Sequence, residues 1–188
     1  MSDIFRGKLV RITSESPKDL GEPYARWSLD SEFWRLMDSG ITRPFSAKAT
    51  EKFLEEMLID PKGDSFLFSI RTLEDDRMVG DIGLGIAGWP QADAFVGIAL
   101  GDRNLWGKGY GTDAMNIILR YAFQELNLRR VTLNVFEYNP RAVRSYEKVG
   151  FRHEGRVRGA LLREGRRWDM LYMGISRQEW LAHNALET

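Results

Sequence analysis

The sequence predicts an α/β domain built on one mixed sheet flanked by helices. Three observations carry that prediction. Segments of two-residue and helical periodicity follow one another in the order helices, three strands, helix, strand, helix, two strands. Ala94 to Leu100 is an almost wholly apolar run, the pattern of a central strand covered on both faces. Asp113 to Asn127 is amphipathic at helical spacing, with Ala114, Ile117, Ile118, Tyr121, Ala122 and Leu126 on one side and Asn116, Arg120 and Gln124 on the other. The 188 residues suffice for one domain with a real core, and no linker or repeat divides them, so one domain over 1–188 is expected.

Lys8 to Thr13 reads as a first strand. Residues 17 to 38 read as two short helices broken near Gly21-Glu22-Pro23, with Asp30 or Ser31 capping the piece that carries Phe33, Trp34 and Met37. Ser46 caps a further helix whose apolar stripe is Ala49, Phe53, Leu54, Met57 and Leu58, ended by Pro61-Lys62-Gly63-Asp64. Phe66, Phe68 and Ile70 mark a strand, and Leu73 to Arg77 a hairpin connection into Met78 to Ile86. After the long helix, Arg130 to Phe136 is a strand with Val131, Leu133 and Val135 on one face. Asn139 caps a helix that starts at Pro140 and stops at Gly150. Strands over Arg152 to Leu162 and Trp168 to Ile175, then a short helix over Gln178 to Asn184, complete the pattern.

Composition narrows the chemistry. With 27 basic and 27 acidic residues, no overall field draws the chain to nucleic acid. The absence of cysteine removes thiol nucleophiles, disulfides and thiolate-bound metals. His153 and His183 share no ligand spacing, so no metal is expected. No apolar run approaches a membrane span and the start lacks a signal-peptide pattern, so a soluble, cytoplasmic protein is expected, with no membrane partner and a homodimer as a prior.

The chemistry concentrates in Asp102 to Asp113, between the apolar strand and the amphipathic helix. Gly107, Gly109 and Gly111 alternate there, keep side chains out of a tight turn and admit unusual backbone angles. Amides at the turn and in the first helical turn have no partner four residues back, and the helix dipole adds to their pull on an anion. Lys108 adds a positive charge at the rim, and Asp113 must point away. The triphosphatase phosphate loop needs Ser or Thr after Gly-Lys, whereas Gly109 follows Lys108. Gly109-Tyr110-Gly111-Thr112-Asp113-Ala114 satisfies the dinucleotide fingerprint, but Gly101 to Lys108 separates it from its strand and Glu137 is too distant to be its ribose acid. Gly83-x-Gly85-x-x-Gly88 also matches, but Trp89-Pro90 follows it in place of a helix.

Trp106, Gly109 and Gly111 occupy the three positions of the signature Gln or Arg, two residues, Gly, one residue, Gly or Ala, with Trp106 replacing the usual polar residue. With the segment Asn134 to Phe151, this sequence resembles the Gcn5-related N-acetyltransferase (GNAT) superfamily, and within it the ribosomal-protein alanine acetyltransferases and their small-molecule-modifying relatives. The resemblance implies a centrally splayed sheet, with Ala94 to Leu100 and Arg130 to Phe136 as the parted strands. It implies acetyl-coenzyme A as cosubstrate. Its diphosphate would lie on Trp106, Gly107, Lys108, Gly109, Tyr110, Gly111 and Thr112, and its pantetheine arm near Asn139. Backbone donors at Ile98, Ala99 and Leu100 would polarise the thioester. Tyr146 would protonate the departing thiolate and touch the cofactor.

The implied reaction is direct attack by a neutral primary amine, on a small molecule or a peptide N-terminus. Asp81, Glu137 and Asp169 are candidate bases, each with a salt bridge or cap as the alternative. Residues 24 to 45, Trp89 and the final hairpin are expected to build the acceptor pocket. Tyr24, Trp27, Phe33, Trp34, Phe45 and Trp89 are its candidate lining, and Asp30, Glu32 and Asp38 could attract a cationic amine. The competing readings are a coenzyme-binding module without turnover and an NAD-dependent oxidoreductase. The arginine-rich final hairpin is diluted by Glu154 and Glu164 and matches no nucleic-acid reader.

Overall fold

The computed structural model describes residues 3–57 and 63–185. Seven strands form one sheet in the order β1-β2-β3-β4-β5-β7-β6. They are β1 (Val10–Thr13), β2 (Ser65–Thr72), β3 (Met78–Gly88), β4 (Asp93–Leu100), β5 (Arg130–Phe136), β6 (Arg152–Arg163) and β7 (Arg166–Ser176). The helices are α1 (Pro17–Ser28), α2 (Ser31–Met37), α3 (Ala47–Met57), α4 (Tyr110–Arg120), α5 (Pro140–Val149) and α6 (Arg177–Ala185). Every neighbouring pair is antiparallel except β4 and β5.

That parallel pair positions everything else. Its ladder holds only Asp93 to Phe95 against Arg130 to Thr132. Beyond those residues the strands part, and Val96 to Leu100 faces Leu133 to Phe136 across a gap. One face of the sheet carries Ile82, Leu84, Val96 and Leu133 and is covered by α4, with Val149 of α5 and Trp180 of α6. The opposite face is covered by α1 to α3 only around Ala99, through Leu20, Tyr24, Trp27, Phe33 and Leu54. The rest of that face stays open, so β4 is not covered on both faces as its apolar run suggests: Phe95 and Gly97 are exposed.

Three helices depart from the sequence expectation. α1 runs unbroken through Pro23 and the chain breaks at Leu29-Asp30 instead, where Asp30 accepts from the amides of Glu32 (3.0 Å) and Phe33 (3.2 Å). Gly21 marks a close approach, since a Cβ there would lie 2.9 Å from the Ala47 carbonyl oxygen at the start of α3. On α3 the buried positions are Thr50 and Leu54, while Ala49 and Phe53 face outward; only a narrow edge of this helix meets α1. Leu58 and Pro61-Lys62 lie outside the described residues. α4 begins at Tyr110, three residues before Asp113, and ends in a wide turn over Tyr121–Glu125. Ala114, Ile117, Ile118 and Ala122 are buried and Asn116 and Gln124 exposed, as expected, and Tyr121 and Leu126 are half-buried against the core. Arg120 is not outward but half-buried, donating to the carbonyls of Ile4 (2.8 Å) and Arg6 (2.7 Å). No helix among the described residues is long and apolar enough to cross a membrane.

Candidate active site

The gap between β4 and β5 opens into a cavity of about 700 Å³ bounded by both strands, the turn before α4, α5 and the end of α2. At one end lies the glycine turn. Gly107 and Gly109 adopt φ of 75° and 93°, angles that disfavour any side chain, and Gly109 forms the N-terminal cap of α4. The amides of Gly107, Gly109, Tyr110, Gly111 and Thr112 make no hydrogen bond among the described residues. Trp106 and Lys108 differ: their amides already donate to Arg103 O (3.0 Å) and Leu105 O (3.4 Å). Five amides without protein partners at the positive end of a helix, here termed the cradle, could receive an anion such as a diphosphate.

Asp113 points away from the cradle, as expected. Its carboxylate accepts from the amides of Lys8 (3.0 Å), Leu9 (2.7 Å) and Val10 (3.0 Å), which pins the start of β1 to α4. Asp113→Ala is expected to lower stability by about 1–3 kcal/mol, measured as a shift of the urea midpoint at unchanged slope. An unchanged midpoint would show that water replaces the carboxylate without loss.

Along the gap the main chain of β4 alternates. The Gly101 amide donates to Val79 O (2.9 Å), so the odd-numbered residues, Ala99 among them, pair with β3. Ile98 and Leu100 therefore turn their amides toward the parted side, and Ala99 does not. The Leu100 carbonyl is taken by the Trp106 indole N–H (2.7 Å), and the Arg141 guanidinium lies 3.9 Å over the same indole. Trp106 thus locks the end of β4 with its side chain.

From α5, Asn139 and Tyr146 reach the cavity together. Asn139 is buried and caps the helix through Oδ1, which accepts from the Ala142 amide (3.2 Å). The Tyr146 ring packs beside Phe151, and its hydroxyl has no hydrogen-bond partner among the described residues. Burial pushes this phenol up to about 12, opposed by the Arg141 charge. Thr112 and Ser145 share a hydroxyl contact of 2.8 Å that ties α4 to α5.

Of the three candidate bases only Asp81 borders the cavity. Its Oδ2 is buried without a hydrogen-bond partner, and burial raises its carboxyl to about 6, opposed by a hydrogen bond from Tyr24. The Tyr24 phenol is itself raised by burial and by the Asp81 charge. Glu137 and Asp169 lie outside, held by Arg156, which reaches each at 2.9 Å. Glu137 also accepts from the Asp169 amide (2.9 Å), and Asp169 from the Gly159 amide (2.8 Å). The partner that Asp169 needs on its apolar face is this arginine, so both carboxylates fasten β6 and β7 to the end of β5.

The acceptor side also needs correction. Phe33 borders the cavity with Leu36 and Met37, but Tyr24 and Trp27 are core, and Trp34 and Phe45 pack on each other at 5.0 Å. The indole of Trp89 donates to Asp64 (2.6 Å) away from the cleft. Asp30 and Glu32 both pair with Arg103, and Asp38 accepts from the Gly40 amide (2.5 Å). The final hairpin does not line the cavity but braces its wall: Arg163 donates to the carbonyls of Asp38 and Gly40, and Glu164 pairs with Arg35 (2.7 Å). One feature escaped the sequence reading. Arg141, Arg144, Ser145 and Lys148 form a basic face of α5 on the cavity, legible as an i, i+3, i+4, i+7 set. Among the described residues no cluster could hold a metal ion.

A strand pair parted beside free amides at a helix start leaves room for an extended molecule that carries an anionic group. Comparison with known proteins agrees. Residues 9–152 match the model of the acetyltransferase (GNAT) domain. The chain is 39% identical over 162 residues to the Bacillus subtilis protein named Probable N-acetyltransferase YjcK, covering 82% of this chain and 87% of that one. It is 29% identical over 164 residues to the SPbeta prophage-derived uncharacterized N-acetyltransferase YokL of the same organism, covering 81% and 83%. The fold matches spermidine N-acetyltransferase from Vibrio cholerae, solved with CoA and spermine, at TM-score 0.76 and 22% identity over 92% of this chain and 96% of that one. This chain belongs to the GNAT acetyltransferase family and is an acetyl-CoA-dependent N-acetyltransferase that acetylates an amine.

Proposed function

We propose that the cavity holds acetyl-CoA with its diphosphate on the amides of Gly107, Gly109, Tyr110, Gly111 and Thr112, its pantetheine along Ile98 to Leu100 and Asn139, and its acetyl group beside Asp81 and Tyr146. The observation that carries this reading is the set of five unpartnered amides opening onto a gap between parted strands. The basic face of α5 supplies charge for the phosphate end. Bound acetyl-CoA supplies an electrophilic thioester. The amides of Ile98 and Leu100 point where its carbonyl oxygen gains charge. Asp81 takes the proton of the attacking amine, and Tyr146 supports the departing sulfur through its hydroxyl. Ala99 holds its neighbours in place through β3 and gives no donor to the gap.

The acceptor is a primary amine on a small molecule or a protein N-terminus. The resemblance to the ribosomal-protein alanine acetyltransferases supports the second, as does the open mouth of the cavity at Ser65 and Gly85, both exposed. Calorimetry is expected to show coenzyme A binding with NAD and ATP far weaker, because the cradle faces a gap built for an extended arm and the turn lacks the residues of a triphosphate loop. Tight NAD binding without coenzyme A binding would contradict the reading.

A further inference from the structure

The glycines of the second fingerprint match have a place in the fold that the coenzyme reading leaves unused. Gly83 and Gly85 project from the same face of β3 as Asp81. Their partners on β4 are Gly97 and Phe95, and Asp81 is paired with Ala99. This is the face that α1 to α3 leave open beyond Ala99. A Cβ added at Gly85 or Gly97 would meet nothing within 4 Å. At Gly83 a Cβ would meet the Phe66 carbonyl oxygen (2.9 Å) and Leu67 Cδ1 (3.4 Å), so the bare floor is Gly97 and Gly85, in a trough that runs from Asp81 to Phe95, about 13 Å by strand rise. Its surroundings are apolar: Phe33 and Met37 on the helical side, Leu67 and the 39%-exposed Phe95 on the sheet. Asp81, with its unpartnered buried oxygen, is the one acidic residue lining the cavity among the described residues. The cavity's cations, Arg141, Arg144 and Lys148, all belong to α5.

From this placement, and resting on the acetyl-transfer reading above, we infer that the acceptor is a primary amine carrying a single positive charge on a flat apolar body, laid on the floor of Gly97 and Gly85 with its nitrogen at Asp81. One carboxylate neutralises one ammonium. A second ammonium farther along the trough would lie beside Phe95 and the bare strands with no carboxylate of the cavity lining to pair with, which disfavours polyamines and aminoglycosides. The bare floor admits an aromatic ring where side chains at those positions would fill the space. An arylalkylamine and the N-terminus of an apolar peptide share this chemistry and differ in reach: the first ends near Gly97, the second continues past Gly85.

The test is steady-state acetylation of 2-phenylethylamine, ethylamine, spermidine and a short apolar peptide with a free N-terminus by the full chain, Gly97→Val and Gly85→Val. Both substitutions enter open space on strands, where valine is favoured, so folding is retained. The wild-type chain is expected to prefer phenylethylamine or the peptide to spermidine by about tenfold or more in kcat/KM. Gly97→Val should lower the phenylethylamine-to-ethylamine ratio by about tenfold or more. Gly85→Val should lower turnover of the peptide relative to phenylethylamine if the peptide is the natural kind of acceptor, and spare that ratio if the small amine is. Preference for spermidine, or an unchanged phenylethylamine-to-ethylamine ratio in Gly97→Val, would overturn the inference. Failure of the wild-type chain to bind coenzyme A in calorimetry would instead overturn the acetyl-transfer geometry on which it rests.

Discussion

Tyr146→Phe is expected to lower kcat by about 10²–10³-fold while changing coenzyme A affinity by less than about twofold. The substitution keeps the ring against Phe151 and deletes only a hydroxyl that has no other partner among the described residues. Because burial holds the phenol at about 12, well above an ordinary thiol, it stays protonated at neutral pH. In the proposed reaction it would therefore assist the leaving sulfur chiefly as a hydrogen-bond donor whose contact strengthens as charge develops. Such a contact acts in the transition state, so the loss falls on kcat and not on ground-state binding. Single-turnover thiol release at saturating acetyl-CoA is the appropriate measurement. An unchanged single-turnover rate would remove Tyr146 from the chemistry.

Asp81→Asn should separate activity from stability. Activity is expected to fall by about 10²-fold in kcat/KM for the amine, and the rise of the wild-type profile through about pH 6 should disappear. Stability should move the other way. The native chain keeps this proton up to about pH 6, whereas an unfolded aspartate releases it near 3.8. Between those values the native state binds more protons, so the contribution of Asp81 to stability falls as pH rises through the interval. At neutral pH the buried charge costs roughly 2–3 kcal/mol, which a neutral amide removes. Thermal unfolding at pH 7 should thus occur at higher temperature in Asp81→Asn, with the difference shrinking toward pH 4. A carboxylate with a purely structural role would give the opposite pairing, lower stability with retained turnover.

Much of this was legible in the residues. Strand and helix order followed from periodicity, and the tight turn with its free amides from three alternating glycines between an apolar strand and an amphipathic helix. The cap of α5 could be read from Asn139-Pro140, and the placement of Asp113 from simple electrostatics. What was not legible depends on contacts distant in sequence. The local weakness of Gly21-Glu22-Pro23 as helix is overridden by the close seat of α1 on α3, so the break moves to Asp30. Glu137 and Asp169 resemble bases until Arg156, from another strand, claims both. The acidic residues of α2 suggest an amine trap until Arg103 takes Asp30 and Glu32. No helix follows the glycines of β3, and their meaning depends on Gly97, which becomes their neighbour only through strand pairing.

In the proposed complex, unpaired amides at the start of α4 grip the carrier's phosphates while the parted strand receives its arm. Amide proton and nitrogen shifts followed on addition of coenzyme A and, separately, inorganic pyrophosphate test it most directly. Pyrophosphate should move Gly107, Gly109, Tyr110, Gly111 and Thr112 alone, and coenzyme A should move these together with Ile98 and Leu100. Saturating coenzyme A that leaves the glycine-turn amides unmoved, with its largest shifts elsewhere, would contradict it.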